Sequence, residues 1–221
     1  MLATKIEHAT FVVTISEYNR QFLQRLYGAV AANKLRVIHC GIDPEVFQPR
    51  ARLKTHAPLT LLCVGRLEAQ KGHPYLIDAY ARLKRAGVHF RCHLVGEGQD
   101  RQHIETQIER LGLLEDAMLL GQQPRPRVHE LLDQTDIFIL PSITTPNGRQ
   151  EGIPVALMEA LAMGKPCISN AISGIPELIE DGQTGLLVPE RDAQALADAI
   201  KRLHDAPAWG RELAHTGRAK V

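Results

Sequence analysis

Two clusters of residues have the types and spacing needed to hold an anion. The first is Gly65-Arg66-Leu67-Glu68-Ala69-Gln70-Lys71-Gly72. A glycine leaves an apolar run, two cations follow, and a second glycine opens an amphipathic stretch. Arginine offers a planar fork to phosphate oxygens, lysine a compact charge, and glycine allows close backbone approach. Such a loop suits a diphosphate; on the basic pair alone, a solvated turn with incidental charge is the simpler account. The second cluster is Glu151-Gly152-Ile153-Pro154-Val155-Ala156-Leu157-Met158-Glu159-Ala160. Pro154 fits a first helical turn, where its fixed φ helps and its missing N–H costs nothing. The helix N-terminus favours an anion through its unpaired amides and dipole, so the stretch from Gly152 to Val155 can present main-chain donors, from Gly152, Ile153 and Val155 around the donor-less Pro154. Glu151 before the helix and Glu159 inside it can accept hydroxyls at two depths, one on a transferred sugar and one on a ribose. Alone, this cluster fits a surface helix with two solvated carboxylates equally well.

Other chemistries find less support. Gly96-Glu97-Gly98 leaves a strand-like run, but a dinucleotide fingerprint needs a third glycine where Arg101 stands. These glycines therefore read as a tight turn or a nucleotide-facing loop. Gly164-Lys165 runs into Pro166 and makes no Walker-type phosphate loop. The ten histidines form no helical pair around a glutamate and meet no cysteine at ligand spacing, so no metal is expected. His73, beside Lys71, reads as a surface histidine at a helix start. Ser142 and Ser173 lack a nucleophile-elbow setting. Cys40, Cys63, Cys92 and Cys167 are scattered, three of them in apolar runs, and read as free thiols in a reducing compartment. The 26 basic and 25 acidic residues nearly cancel, which argues against a nucleic-acid binder and requires any anionic ligand to be held locally. Residues 1–11 lack the apolar core of a secretory signal, and no run is long enough to span a bilayer, so a cytoplasmic protein is expected.

The elements that must position these clusters follow from periodicity. Short β-branched runs alternate with amphipathic stretches, the pattern of crossover units on a parallel sheet. Strands are predicted at 59–64, 90–95, 117–120, 137–140, 166–169 and 185–188, with helices at 75–85, 101–111, 127–133, 155–163, 176–180 and 193–204. This is an α/β, doubly wound parallel sheet, whose ligands bind at the carboxyl ends of the strands. Before it, a strand from Thr10, a helix capped by Ser16 and a strand from Leu35 are too little for a domain. Domain limits are set at 1–49 for this remnant, 50–58 for a linker of turn chemistry, and 59–221 for the main domain. The remnant's apolar strands should be exposed and poorly held.

In combination these motifs resemble the retaining glycosyltransferases of family 4, with the GT-B fold. The resemblance runs from about Ala9 to the end. Its carriers are Val64-Gly65-Arg66 with Lys71-Gly72, Gly96-Glu97-Gly98, Glu151 through Ala160, Gly174-Ile175-Pro176-Glu177, and Asp181 through Val188. Within the family the chain looks most like bacterial exopolysaccharide transferases of the colanic-acid type. The resemblance implies that Arg66 and Lys71 bind the diphosphate and that Glu151 lies near the donor-sugar hydroxyls. It also implies that Glu159 binds the ribose and that Gly96 and Glu97 lie beside the base. It implies glycosyl transfer from a UDP- or GDP-linked sugar, a substrate rather than a cofactor, to a hydroxyl of a glycan or lipid-linked acceptor. Peripheral contact at the inner membrane face fits such an acceptor. Residues 1–49 would be the end of an otherwise missing N-terminal acceptor domain, leaving the chain inactive alone. A non-catalytic sugar-nucleotide-binding module and a GT-B-fold sugar-nucleotide epimerase remain the alternatives.

Overall fold

The computed structural model describes residues 2–43, 45–49 and 58–221. Apart from Pro58, the linker assigned to 50–58 lies outside the described residues. The N-terminal unit comprises α1 (Leu2–His8), β1 (Val12–Thr14), α2 (Glu17–Tyr27), α3 (Ala29–Ala32) and β2 (Leu35–Val37). β1 and β2 pair in parallel, Val12 opposite Leu35. Ser16 caps α2 as its sequence position predicts, its Oγ accepting from the Asn19 amide at 3.1 Å. The unit has a small core of Ile6, Ala31 and Leu35.

The main unit follows as β3 (Leu59–Val64), α4 (His73–Arg85), β4 (Phe90–Val95), α5 (Arg101–Arg110), β5 (Ala117–Gly121), α6 (Arg125–Gln134) and β6 (Ile137–Leu140). It continues as α7 (Val155–Ala162), β7 (Cys167–Asn170), α8 (Ile175–Leu178), β8 (Leu186–Val188), α9 (Ala193–Asp205) and α10 (Pro207–Lys220). The six strands are parallel in the order β5-β4-β3-β6-β7-β8. The predicted α/β doubly wound sheet is thus observed. β3 and β6, at its centre, read Leu-Thr-Leu-Leu-Cys-Val and Ile-Phe-Ile-Leu because helices cover both faces. Leu61, Leu62, Phe138 and Ile139 are fully buried. Cys63, Cys92 and Cys167 are buried free thiols, as predicted.

The two units share more than a chain. Phe47, on the N-terminal side of the sequence boundary, packs into the large core. The Glu177 carboxylate accepts from the Glu17 and Tyr18 amides, both at 2.8 Å, so a residue of α8 holds the first turn of α2. The remnant's expected exposure is present at Phe11, Val13 and Ile38. Its expected looseness is offset by these contacts.

Candidate functional site

In the strand order, the chain leaves β3 toward β4 on one side and β6 toward β7 on the other. The crevice above these two strands is the topological switch point, where open α/β sheets bind their ligands. The loops after β3 and β6 are the two clusters that the sequence singles out.

The β3 loop is held by backbone. Gly65 N donates to Val95 O, Leu67 N to Glu97 O, and Asp100 N to Leu67 O. Gly96 has φ +141°, and a Cβ there would lie 1.9 Å from Gly65 O, so the two glycine loops stack with no room for a side chain. A short 3-10 turn, Ala69–Lys71, ends at Gly72 in the left-handed region, φ +66°. A Cβ on Gly72 would lie 1.9 Å from Pro141 O. With Ile143 N donating to Gln70 O at 2.9 Å, this joins the β3 loop directly to the β6 loop.

The junction unites two predicted site residues 80 positions apart. Lys71 Nζ lies 2.9 Å from Glu151 Oε2, and both side chains are largely buried. A Cβ on Gly65 would meet Lys71 Cδ and Cε at 3.3 Å, so the bare glycine makes room for the lysine stem. Arg66 is placed differently. Its side chain is 67% exposed and lies 2.6 Å from Glu68, which also meets Arg149 at 3.6 Å. The two cations of one loop therefore differ: Lys71 is fixed deep at the switch point, and Arg66 is held at the rim by a carboxylate. The sequence reading missed Glu68 and Arg149, although Glu68 stands inside the quoted loop and Arg149 two residues before Glu151.

α7 begins at Val155, as predicted, but Pro154 is in extended conformation at the N-cap rather than in the first helical turn, its expected place. The amides opening α7 have no acceptor within the helix, as at any helix start. Ile153 is buried, while Gly152 abuts Ile15 of the N-terminal unit, a Cβ there lying 3.0 Å from Ile15 Cδ1. Glu159 is half-buried on α7. Burial pushes its carboxyl above the usual range, and the nearby Arg125 guanidinium partly opposes this. Arg125, also missed in sequence, sits 5.2 Å over the Phe47 ring. Glu97 pairs with Arg101 at 2.6 Å, at the rim beside Gly121.

His73 is a correction. It is 1% exposed rather than at the surface, and burial, with the Lys71 charge beside it, pushes its pKa down to about 4. It is therefore a neutral histidine under the loop at neutral pH. Among the described residues no cluster of three or more His, Cys, Asp or Glu is arranged to hold a metal ion, and no helix is long and apolar enough to cross a membrane.

Residues 47–219 match the family described as glycosyl transferases group 1. The chain is 44% identical over 191 residues to the amylovoran biosynthesis glycosyltransferase AmsK of Erwinia amylovora, covering 86% of this chain and 47% of that protein. It is 44% identical over 164 residues to the putative colanic acid biosynthesis glycosyltransferase WcaL of Salmonella typhimurium, covering 74% and 40% respectively. The chain thus spans less than half the length of either relative. The crystal structure of HepE from Anabaena, in complex with UDP-glucose, has a TM-score of 0.83 at 22% identity, covering 99% of this chain and 63% of that one. That likeness shows the shared GT-B fold.

Proposed function

The chain belongs to the group 1 glycosyl transferases, and we propose that it forms the donor-binding half of a retaining enzyme. That enzyme moves a sugar from a nucleoside diphosphate to a hydroxyl of a glycan or lipid-linked acceptor in exopolysaccharide synthesis. The observation that carries this reading is the 2.9 Å approach of Lys71 to Glu151 at the switch point, beside the start of α7. A diphosphate bound there takes charge from Lys71, from the Arg66 fork swinging in from Glu68, and from the first amides of α7. Those donors stabilise the negative charge that builds on the departing nucleotide. Glu151, next to Lys71, accepts from hydroxyls of the transferred sugar, and Glu159, deeper on α7, from the ribose. Gly96 and Glu97 line the base end. The sugar nucleotide is consumed as substrate, and no metal or other cofactor takes part.

HepE was solved with UDP-glucose, which supports a uridine-linked donor, with a guanosine-linked one the other member of the reading; AmsK and WcaL are named for amylovoran and colanic acid biosynthesis, which supports a polysaccharide product. The reading sets the protein in the cytoplasm, touching the inner membrane face where a lipid-linked acceptor is met. Calorimetric titration with UDP-, GDP- and ADP-sugars tests it. A uridine or guanosine diphosphate sugar should bind best, and Glu159→Ala should weaken free nucleosides as well. Equal, negligible affinity across the panel removes the assignment. With a separately expressed acceptor domain, transfer with retained anomeric configuration is expected by mass and NMR analysis of product. Donor epimerisation without transfer would point to the epimerase instead.

A further inference from the structure

Several contacts between the N-terminal unit and the main unit fall on one short segment, Ile15 to Tyr18. Glu177 accepts from the Glu17 and Tyr18 amides through separate carboxylate oxygens. Together with Ser16 Oγ, which accepts from Asn19, it satisfies the first three amides of α2, two of them from a residue about 160 positions away. That geometry fixes where the first turn of α2 points. Tyr18, on this turn, donates its hydroxyl to Gln150 Oε1 at 2.7 Å. Gln150 Nε2 donates to Thr144 Oγ1 at 2.9 Å, and Thr144 N donates to Glu190 at 2.6 Å. Arg191 also donates to Thr144 O. Ile15, just before the cap, abuts Gly152.

Gln150 and Gly152 are the two chain neighbours of Glu151. Each is touched from the N-terminal unit, one by a phenol and the other by an isoleucine, while the Glu151 carboxylate itself faces Lys71. The intervening 145–149 turn closes on itself, Thr145 N donating to Arg149 O and Gly148 N to Thr145 O. It therefore leaves the flanks of Glu151 to outside partners.

We propose that Tyr18 and Glu177 are positioning residues: Glu177 aims the first turn of α2, and Tyr18 on that turn fixes Gln150 and so sets Glu151 against the sugar end of the donor. The proposal rests on the function given above. It predicts selectivity in the damage, because Lys71 and the first amides of α7 are not held by Tyr18. Loss of the Tyr18 hydroxyl should harm recognition of the sugar and spare the diphosphate.

The test titrates the full chain, its Tyr18→Phe variant and its Glu177→Gln variant with UDP-glucose, UDP, GDP-mannose and GDP. Each variant should lose up to about tenfold in affinity for the preferred nucleotide sugar, the equivalent of one net hydrogen bond, and keep its affinity for the matching diphosphate. Amide exchange should quicken across 149–153 in both variants, with the interior of α7 still protected; this arm needs no ligand. Equal weakening of sugar nucleotide and diphosphate, or no weakening of either, overturns the positioning role and leaves the function reading standing. Unchanged exchange across 149–153 also overturns it. A parent chain that binds none of the four ligands overturns the function reading, and the sugar-end role with it.

Discussion

Two of the molecule's strand–helix–strand units with parallel strands, β1-α2-β2 and β3-α4-β4, differ in how much they bury. α4 buries His73, Leu76, Ile77, Ala79, Tyr80, Ala81 and Leu83, while α2 buries none of its residues. β3 is paired along its whole length with β4 and also with β6, whereas among the described residues β1 and β2 share three register pairs and pair with no further strand. The motif alone does not make a core. Burial comes from what flanks it: β3 lies at the centre of six strands with helices on both faces, and among the described residues β1-α2-β2 has only α1, α3 and its contacts to the main unit.

The largest difference between the two units should follow from shortening an apolar side chain in each. Leu62→Ala, at a fully buried position on β3, should cost about 2–5 kcal/mol. Phe22→Ala on α2, where the ring is 45% exposed, should cost less than about 1 kcal/mol. Urea unfolding followed by the fluorescence of Trp209, the single tryptophan, reports both. Similar losses in the two variants would mean that α2 is supported by a packing surface the comparison denies it.

A second effect belongs to α4 alone. His73 opens that helix buried and neutral, its pKa pushed down to about 4 by burial and by Lys71. As pH falls from about 6.5 toward 4, the unfolded chain takes up a proton that the folded chain refuses. Stability is therefore complete above pH 6.5 and declines through that window, by roughly 2–4 kcal/mol in all. Urea midpoints of the parent should fall more steeply between pH 7 and 4 than those of His73→Gln. Parallel profiles would show that His73 carries its proton in the fold.

Much of this contrast was legible in the sequence. β3, β4 and β6 fall at their predicted limits because apolar residues dominate each strand, without a break in β6 and with only Thr60 in β3 and Arg91 and His93 in β4 interrupting, and Ser16 caps α2 because an N-cap is a local rule. α10 was not predicted, since Gly210 and Gly217 disfavour a helix. A Cβ on Gly217 would lie 2.6 Å from Thr184 O, so that glycine serves close packing, which only tertiary structure reveals. In the candidate site, Gly65, Lys71 and Glu151 could be named from type and spacing, but their pairing across 80 residues could not. Nor could three other features: Arg66 meets Glu68 through the conformation of a single loop, His73 is buried by the packing around α4, and Tyr18 reaches Gln150 only where the N-terminal unit seats on the main one.

The loops that follow the first strand of each unit should differ in the same direction. Arg66→Ala and Lys71→Ala, after β3, should each weaken nucleoside diphosphate binding by about 1–3 kcal/mol, the scale of a hydrogen bond to a charged group. The fold should survive both. The Arg66 variant removes an exposed side chain, so its melting temperature should match the parent's. Lys71→Ala leaves Glu151 without its 2.9 Å partner and should also cost some stability. Parental affinity in both variants would refute the clamp.

The smallest expected effect lies in the matching loop after β1. Ser16→Ala removes the Oγ that accepts from Asn19 N, and losing such a cap costs about 1 kcal/mol. Here the loss should fall at the low end. Glu177 still holds the Glu17 and Tyr18 amides, so only the third of the first turn's donors is released. Because α2 buries nothing in the large core, the cost should stay local. Amide exchange should quicken in the first turn of α2, while β3 and β6 exchange as in the parent and nucleoside diphosphate affinity is unchanged. The contrast with Lys71→Ala is then one of position: equivalent loops after equivalent strands, one at the switch point of six strands and the other at the edge of two. A loss of diphosphate affinity in Ser16→Ala would show that the first turn of α2 reaches the phosphates, and the division of labour between the two units would have to be redrawn.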